Sequence, residues 1–547
     1  MNLPTYFSLL TVCLFLSGNS ISAQTFTAVA KLKLGFGNEG YLLKQSVKLF
    51  EKVTESTKEN DIFKGFQRFV LDVKERWNKE RLDANFLNHP VNIFHHLKRL
   101  VNGWQHWLGE LEKLDSDKAI ENFLDDYQNM KKESKGWPQG DEDVKGAALA
   151  LIRLRNVYFI SFDELAQGRL NGTVHDALTA DEFREIGIAA YSKHDYLLYE
   201  AVDWLTYFVE LVRRGAQSSY SLARALKLLA SVYNQHGDLQ KTVQLIREAK
   251  EIDPTNAAIK GDMKYYENKF QRAPEEERSK PLHRYIEPYA AEWRPKYEAL
   301  CRHDVQRSKE YVARLKCYHR RTKIPYRPAD VEIVSLGPKI ALFHNVIHET
   351  EMNYIKKKAV NMLFRSNTVA DDGKGYQAVE SRVSETGWID DTDPVVKTLS
   401  TRVSIMTGLN VDILERASGA EYLQVLNYGV GGMYEPHYDY FDEIGTGNRW
   451  NLPAFLETSG NRLATWMYYM NDVSFGGSTV FPYADASVPV VKGAAVFWLN
   501  LKRNGSYDTR TLHAGCPVLI GSKWVSNKWV HEGPQFRTWP CKLDQYS

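Results

Sequence analysis

The sequence predicts a multidomain α + β protein: two unlike helical modules, then a C-terminal double-stranded β-helix, or jelly roll. Three observations predict it. Before residue 145, apolar residues recur at alternating steps of three and four. From about 146 to 262, helical stretches are broken by Gly- and Asp-bearing turns in the manner of a tetratricopeptide unit. After residue 420, short runs of β-formers bounded by Asn, Asp and Gly are evenly spaced over roughly 120 residues.

Residues 1–23 read as a secretory signal. Tyr6–Leu16 is apolar but too short to span a bilayer, and Ile21-Ser22-Ala23 fits a small-residue cleavage pattern. The mature chain is expected to begin at Gln24. No later apolar stretch reaches the ~18 residues of a membrane helix. In the module 24–145, Phe63, Phe66, Val70, Val73 and Trp77 form one stripe. Phe94, Leu97, Val101, Trp104, Leu108 and Leu111 form another after Pro90. This a/d seam closes either as an intramolecular hairpin or as a coiled coil between two chains.

The module 146–262 has a different grammar. Tyr233–Leu239 is a helix end, a Gly turn and a restart; Thr242–Ile252 and Asp253–Asn256 follow. Tyr191–Tyr196 is a similar interruption. Stacked helix pairs make a concave groove. Tyr158, Tyr191, Tyr196, Tyr199 and Tyr233 are the candidates to line it, and aromatic faces suit a polyproline II peptide. Residues 263–300 read as a linker, with Pro274–Pro281 charged and Pro-bounded.

The catalytic domain is expected over 301–547. Strands are expected at Glu421–Tyr428, Leu463–Met470, Gly493–Leu499 and Trp524–Val530, buttressed by helices at Glu349–Met362 and Val395–Met406. His437 and Asp439 are two apart, so on a strand both point to one face. His513, from a distant strand, completes two imidazoles and one carboxylate. That set covers one face of an octahedral metal and leaves the other open, as non-haem Fe(II) oxygenases require. With 15 His in the chain, about one His-x-Asp triplet is expected by chance. The surrounding strands are what raise this one above chance.

Longer stretches carry a resemblance. NYGVGGMYEPHYDY, GTGNR, ATWMYYMNDVSFGGSTVFP, KGAAVFWLNL and HAGCPVLIGSKWVSNKWVHE closely resemble the catalytic domain of the collagen prolyl 4-hydroxylase α-subunit family. Weaker similarity extends over nearly the whole mature chain. The resemblance implies a 2-oxoglutarate- and Fe(II)-dependent procollagen-proline 4-dioxygenase. Such an enzyme hydroxylates peptidyl proline in X-Pro-Gly sequences while 2-oxoglutarate is decarboxylated to succinate. It implies Fe(II) on His437, Asp439 and His513, O₂ as co-substrate and L-ascorbate to restore oxidised iron. It places Lys523 on the distal carboxylate of 2-oxoglutarate, where a dicarboxylate in a partly dry barrel needs a fixed positive charge. Tyr428 and Thr479 are implied hydroxyl donors to the same carboxylate, and His531 and Trp529 match positions near the co-substrate. The family binds proline-rich peptide in the second module and dimerises through the first, so the resemblance implies that the a/d seam joins two chains, with some hairpin packing as well. Its members carry a Tyr where this chain has Ala230, so peptide preference is expected to differ. The alternatives are a non-catalytic collagen-binding chaperone and a related hydroxylase of lysine or of non-collagen proteins.

The chain has 547 residues, a formal net charge of +2, 12% aromatic residues and five cysteines. The near-neutral charge gives no nucleic-acid footprint. Cys13 leaves with the signal. Cys301, Cys317, Cys516 and Cys541 remain, an even number that suits two disulfides in an oxidising compartment and allows three pairings. Proximity together with the resemblance favours Cys301–Cys317 and Cys516–Cys541. Asn171 and Asn504 each open a glycosylation sequon. The chain ends Asp544-Gln-Tyr-Ser547, which is not a Lys-Asp-Glu-Leu address. Retention in the endoplasmic reticulum lumen is therefore expected through a partner. The family's partner is protein disulfide isomerase as β subunit, in an α₂β₂ heterotetramer with a second α chain and procollagen as substrate.

Overall fold

The apolar seam of the first module closes inside the chain. Helix α1 (Val29–Lys52) lies across α2 (Asp61–Glu80). Helix α3 (Pro90–Lys98) runs through a π-helical turn, Arg99–Trp104, into α4 (Gln105–Leu111), and α5 (Lys118–Glu133) packs on α1. Asn60 caps α2 by accepting from the Ile62 N–H. Pro90 opens α3, where its missing N–H costs nothing. All ten seam residues from Phe63 to Val73 and from Phe94 to Leu111 are at most 3% exposed. Phe63, Phe66, Val70, Trp104 and Leu108 pack with Leu42, Leu43 and Leu49 of α1 and Phe123 of α5. The reading of this seam as the joint between two α chains is therefore corrected: α1 and α5 supply the apolar partners that a second chain was expected to bring.

The structure is a computed structural model that describes residues 28–543, apart from 115–116, 135, 139, 175, 193–196, 287, 323, 325–327, 370–375, 379–380, 414–417 and 442–455. The expected signal segment and cleavage site, Tyr196, the GTGNR stretch and Asp544–Ser547 lie outside the described residues.

The second module is a stack of helices: α6 (Asp141–Tyr158), α7 (Ala180–Tyr191), α8 (Leu198–Arg213), α9 (Leu222–His236), α10 (Leu239–Ile252) and α11 (Ala257–Arg272). A capping box, Thr179 with Glu182, opens α7. Gly237 ends α9 at φ 98°, a conformation that only glycine adopts freely, and Asp238 caps α10 by accepting from the Lys241 N–H. That pair makes the Tyr233–Leu239 stretch a helix–turn–helix. Residue 146, the expected start of this module, lies inside α6, and α11 runs past 262. Phe183, Trp204, Phe208, Leu226 and Ala230 are fully buried in its core. The same core reaches Val430, Met433, Leu519 and Ile520 of the C-terminal domain, so the helical half packs directly on the barrel.

The barrel follows α12 (Arg294–Cys301). In chain order its strands are β1 (Cys317–Arg320), β2 (Ala329–Leu336), β3 (Lys339–His344), β4 (Phe364–Arg365), β5 (Arg382–Val383), β6 (Glu385–Ile389) and β7 (Leu423–Tyr428). Then come β8 (Met433–His437), β9 (Arg462–Tyr469), β10 (Thr479–Phe481), β11 (Ala486–Val488), β12 (Ala495–Leu499), β13 (His513–Gly515) and β14 (Lys523–His531). A nine-stranded sheet runs β1-β2-β3-β12-β9-β14-β7-β6-β4 and faces a five-stranded sheet, β11-β10-β13-β8-β5. This is the expected two-sheet jelly roll. Strand alternation sorts the faces. Trp466 and Tyr468 of β9 point out beneath α13 (Glu349–Val360) and α14 (Pro394–Thr407), while Met467 and Tyr469 point in. Tyr468 fastens α14 by donating from its hydroxyl to the Leu399 carbonyl, 3.1 Å.

The disulfide pairing is also corrected. Cys301 bonds Cys516, 215 residues away, with Cα atoms 5.6 Å apart, and Cys317 and Cys541 are exposed free thiols. Sequence proximity misled because α12 packs against the strands beside β13, whereas Cys317 opens an exposed edge strand on the other sheet. The bond ties α12 to the end of the strand that carries His513.

Candidate active site

Two of the three expected metal ligands are a cross-strand pair. His437 of β8 stands opposite His513 of β13. Asp439 lies just past the end of β8 rather than on it, and its carboxylate turns back between the imidazoles. Oδ1 is 3.7 Å from His437 Nε2 and Oδ2 is 3.6 Å from His513 Nε2. All three ligand atoms fall within 4.8 Å of one another.

Each imidazole is oriented by its other nitrogen. His437 Nδ1 sits 2.8 Å from the Glu435 carbonyl and His513 Nδ1 3.0 Å from that of Thr511. A carbonyl only accepts, so both Nδ1 atoms carry the hydrogen and both Nε2 lone pairs face Asp439. Burial, then the proximity of His513, pushes His437 down to about 3, so it is a neutral ligand at pH 7. Burial opposes ionisation of Asp439, but its neighbours His513, His437 and Arg462 hold it below the ordinary carboxylate value. The Thr465 hydroxyl donates to Asp439 Oδ2 at 2.6 Å and itself accepts from Asn500 Nδ2 at 3.0 Å. This donor set fits a divalent metal with open positions.

The co-substrate residues divide into two groups. Lys523 and Tyr428 are register partners on β14 and β7. Lys523 Nζ lies 3.4 Å from Thr479 Oγ1 and 5.6 Å from the centre of the Tyr428 ring. Tyr469 donates to the same Thr479 oxygen at 2.9 Å. The Tyr428 hydroxyl is engaged by Ser384. Lys523 is 3% exposed, and among the described residues no carboxylate pairs with it. Burial alone pushes its ammonium down to about 7. A buried cation with one long hydrogen bond fits an anionic ligand that arrives from outside.

Trp529 and His531 are not in that group. They lie at the other end of β14, about 20 Å (Trp529) and about 26 Å (His531) of strand beyond Lys523. There the Arg462 guanidinium stacks 3.6 Å over Trp529, pairs with Glu421 and donates to the Asp439 carbonyl at 3.3 Å. His531 joins this network through Glu421 Oε1 at 3.2 Å and the Gly460 carbonyl at 2.7 Å. Both residues therefore adjoin the metal end of the barrel, not the lysine end.

Several residues of the site were missed in the sequence. Tyr434 stacks on His437 with ring centres 3.5 Å apart, and Arg382 lies over Tyr434 at 4.7 Å. Arg462 and Glu421 open a strand and precede one, and nothing in their spacing announces that they meet. Thr465 had a signal: it is the one aliphatic hydroxyl in β9, in phase with the inward Met467 and Tyr469.

In the helical module, Tyr191, Tyr199 and Tyr233 are half-buried on α7, α8 and α9. Tyr233 hydrogen bonds Thr206 of α8, and Tyr191 lies near Tyr266 of α11. Ala230 is enclosed in the core. Tyr158 is elsewhere: its hydroxyl donates to the Pro517 carbonyl of the barrel at 2.5 Å.

The burial of Lys523 carries a pH signature. A carboxylate paired with the ammonium raises its pKa from about 7, so binding takes up a proton when the solution lies above that value. Affinity for a carboxylate ligand at Lys523 is expected to fall as pH rises above 7, by up to about tenfold per unit. Calorimetry in buffers of different ionisation enthalpy measures the proton taken up.

Comparison with known proteins covers most of the chain. Residues 42–172 match a family described as the prolyl 4-hydroxylase alpha-subunit N-terminal region. Residues 179–272 match the prolyl 4-hydroxylase peptide-substrate-binding domain, and 423–531 match the 2OG-Fe(II) oxygenase superfamily. The chain is 38% identical over 479 residues to prolyl 4-hydroxylase subunit alpha-1 of Gallus gallus, which covers 84% of this chain and 88% of that one. It is 37% identical over 483 residues to subunit alpha-3 of Mus musculus, covering 83% and 84%. Among solved structures, a viral collagen prolyl hydroxylase from Paramecium Bursaria Chlorella virus-1 in complex with 2OG aligns at 21% identity and a TM-score of 0.26, covering 35% of this chain and 94% of that one.

Proposed function

Because the chain belongs to the prolyl 4-hydroxylase α-subunit family, we propose that it is a procollagen-proline 4-dioxygenase acting on X-Pro-Gly sequences. The observation that carries the reading is the pairing of two sites in one barrel. An oriented His437–Asp439–His513 triad shares the barrel interior with a buried ammonium that no carboxylate among the described residues pairs with. The family supplies the chemistry: Fe(II) with 2-oxoglutarate and O₂ oxidises an unactivated C–H bond while the keto acid becomes succinate and CO₂.

The chain's own residues do the positioning. His437 Nε2, Asp439 and His513 Nε2 would hold the metal, with Thr465 fixing the carboxylate. Lys523 would hold the distal carboxylate, with the Thr479 and Tyr428 hydroxyls as donors to it. Tyr191, Tyr196, Tyr199 and Tyr233 are proposed to hold proline-rich peptide in the helical module, whose boundaries we place near 146 and 262. Trp529 and His531, beside Arg462, would lie near the end of the co-substrate that faces the metal.

The remaining assignments follow from family and sequence. The secretory signal, the sequons at Asn171 and Asn504 and the Cys301–Cys516 bond fit the endoplasmic reticulum lumen. Among the described residues no helix is long and apolar enough to cross a membrane. Procollagen is the proposed substrate, protein disulfide isomerase the β subunit, and α₂β₂ the assembly. A second α chain must then use a surface other than the closed seam. L-Ascorbate is the proposed reductant. The test is amino-acid analysis of a proline- and lysine-bearing collagen peptide after incubation. The expected product is 4-hydroxyproline; hydroxylysine alone would move the enzyme to a sister activity.

A further inference from the structure

The last turns of helix α6 contact both halves of the protein. Arg155 pairs with Asp203 at 2.7 Å and Asn156 donates to Glu200 at 2.9 Å, both on α8 of the proposed peptide-binding module. The same turns touch the barrel. Arg153 donates to the Gly431 carbonyl at 2.6 Å, and Tyr158 donates to that of Pro517 at 2.5 Å. Gly431 lies in the turn from Tyr428 to β8, and Pro517 follows β13. Both turns are at the Lys523 end of the barrel, away from the paired imidazoles.

The Tyr158 contact comes closest to the lysine. The Pro517 carbonyl also accepts from the Gly477 N–H at 3.1 Å. A Cβ on Gly476 would sit 2.7 Å from Tyr158 Oη and 2.5 Å from the Pro517 oxygen; one on Gly477 would sit 3.6 Å from Lys523 Cδ. Gly476 and Gly477 lead into Thr479, the hydroxyl that meets Lys523 Nζ. A phenol from the helical half thus pins the turn that shapes the floor of the dicarboxylate pocket.

We propose that Tyr158 is a positioning residue for the distal carboxylate of 2-oxoglutarate, acting through Pro517 and the Gly476–Thr479 turn rather than through the peptide groove. The proposal rests on the dioxygenase reading above. One hydrogen bond to a neutral carbonyl sets the scale of the effect. Removing it frees the turn at the lysine end and leaves the triad alone. Coupling of this kind is reciprocal, so whatever holds α6 from the peptide side also favours the formed pocket.

The test is Tyr158→Phe, which keeps the ring and removes the hydroxyl. Binding of 2-oxoglutarate to the manganese-loaded protein, with the subunits it is purified with, is measured by calorimetry. Michaelis constants for 2-oxoglutarate and for a proline-rich peptide are measured alongside. The expected result is a Kd and KM for 2-oxoglutarate raised about three- to tenfold, with kcat and the peptide KM within about twofold of wild type. An unchanged 2-oxoglutarate affinity overturns the proposal, and so does a rise confined to the peptide KM, which would return Tyr158 to the groove. In both cases the dioxygenase reading stands. A wild-type protein that binds no 2-oxoglutarate overturns that reading, and the proposal with it.

Discussion

His437→Ala, Asp439→Ala and His513→Ala each reduce peptide-dependent turnover to background, a loss of more than about 100-fold. Two ligands are too few to hold a divalent metal with its open positions directed. The geometry adds a second reason. Asp439 stands between both Nε2 atoms at 3.6–3.7 Å, so its removal leaves two neutral imidazoles without the anion that balances the metal. Each variant is expected to fold, because the barrel core is the apolar layer of Met467, Tyr469, Phe481 and Val525, not the triad. Bound iron, succinate formation and the melting curve measured together check this. A variant that keeps near wild-type turnover would take that residue out of the ligand set.

Lys523→Ala raises the KM for 2-oxoglutarate by roughly 30- to 5000-fold, the equivalent of about 2–5 kcal/mol for truncating one partner of a buried charge pair. Lys523→Met adds an effect of opposite sign on stability. In the ligand-free protein Lys523 is a buried ammonium whose pKa is pushed from 10.5 to about 7. The folded-state value lies below the unfolded one, so protonated Lys523 costs stability. The cost is full below pH 7 and lifts as pH rises from 7 toward 10.5. The methionine variant is therefore expected to unfold with a free energy greater by about 3–5 kcal/mol at pH 6, with a smaller gain as pH rises. Denaturant unfolding at several pH values measures it. A variant that loses stability at pH 6 and keeps its co-substrate KM would place the anion's partner elsewhere.

Local pattern carried much of the site into view, and long-range packing hid the rest. His437, Asp439, His513 and Lys523 stand out through the motifs that resemble the family rather than through strand period alone, since Asp439 lies past the end of β8. The register pairs His437–His513 and Tyr428–Lys523 join distant strands, which no local period gives. The seam from Phe63 to Leu111 was legible as a seam, but a 3-4 spacing does not say whose helix fills it; α1, with its Gly35 and Gly40 packed against neighbours, does. The cysteines were countable, yet pairing depends on α12 crossing to β13, a contact over 215 residues. Tyr158 looked like its neighbours in a Tyr-rich module. It points the other way because it closes α6 where the helix end meets Pro517. The Arg462–Glu421–His531 network has no local signal, since its members come from separate strands.

The central claim is that the triad and Lys523 serve one reaction on peptidyl proline. The measurement that tests it most directly is the ratio of succinate formed from 2-oxoglutarate to 4-hydroxyproline formed in a collagen-like peptide, with Fe(II), O₂ and ascorbate supplied. About one succinate is expected for each 4-hydroxyproline, with both products lost in the His513→Ala variant. Peptide binding without any succinate, or 4-hydroxyproline that persists in that variant, would contradict it.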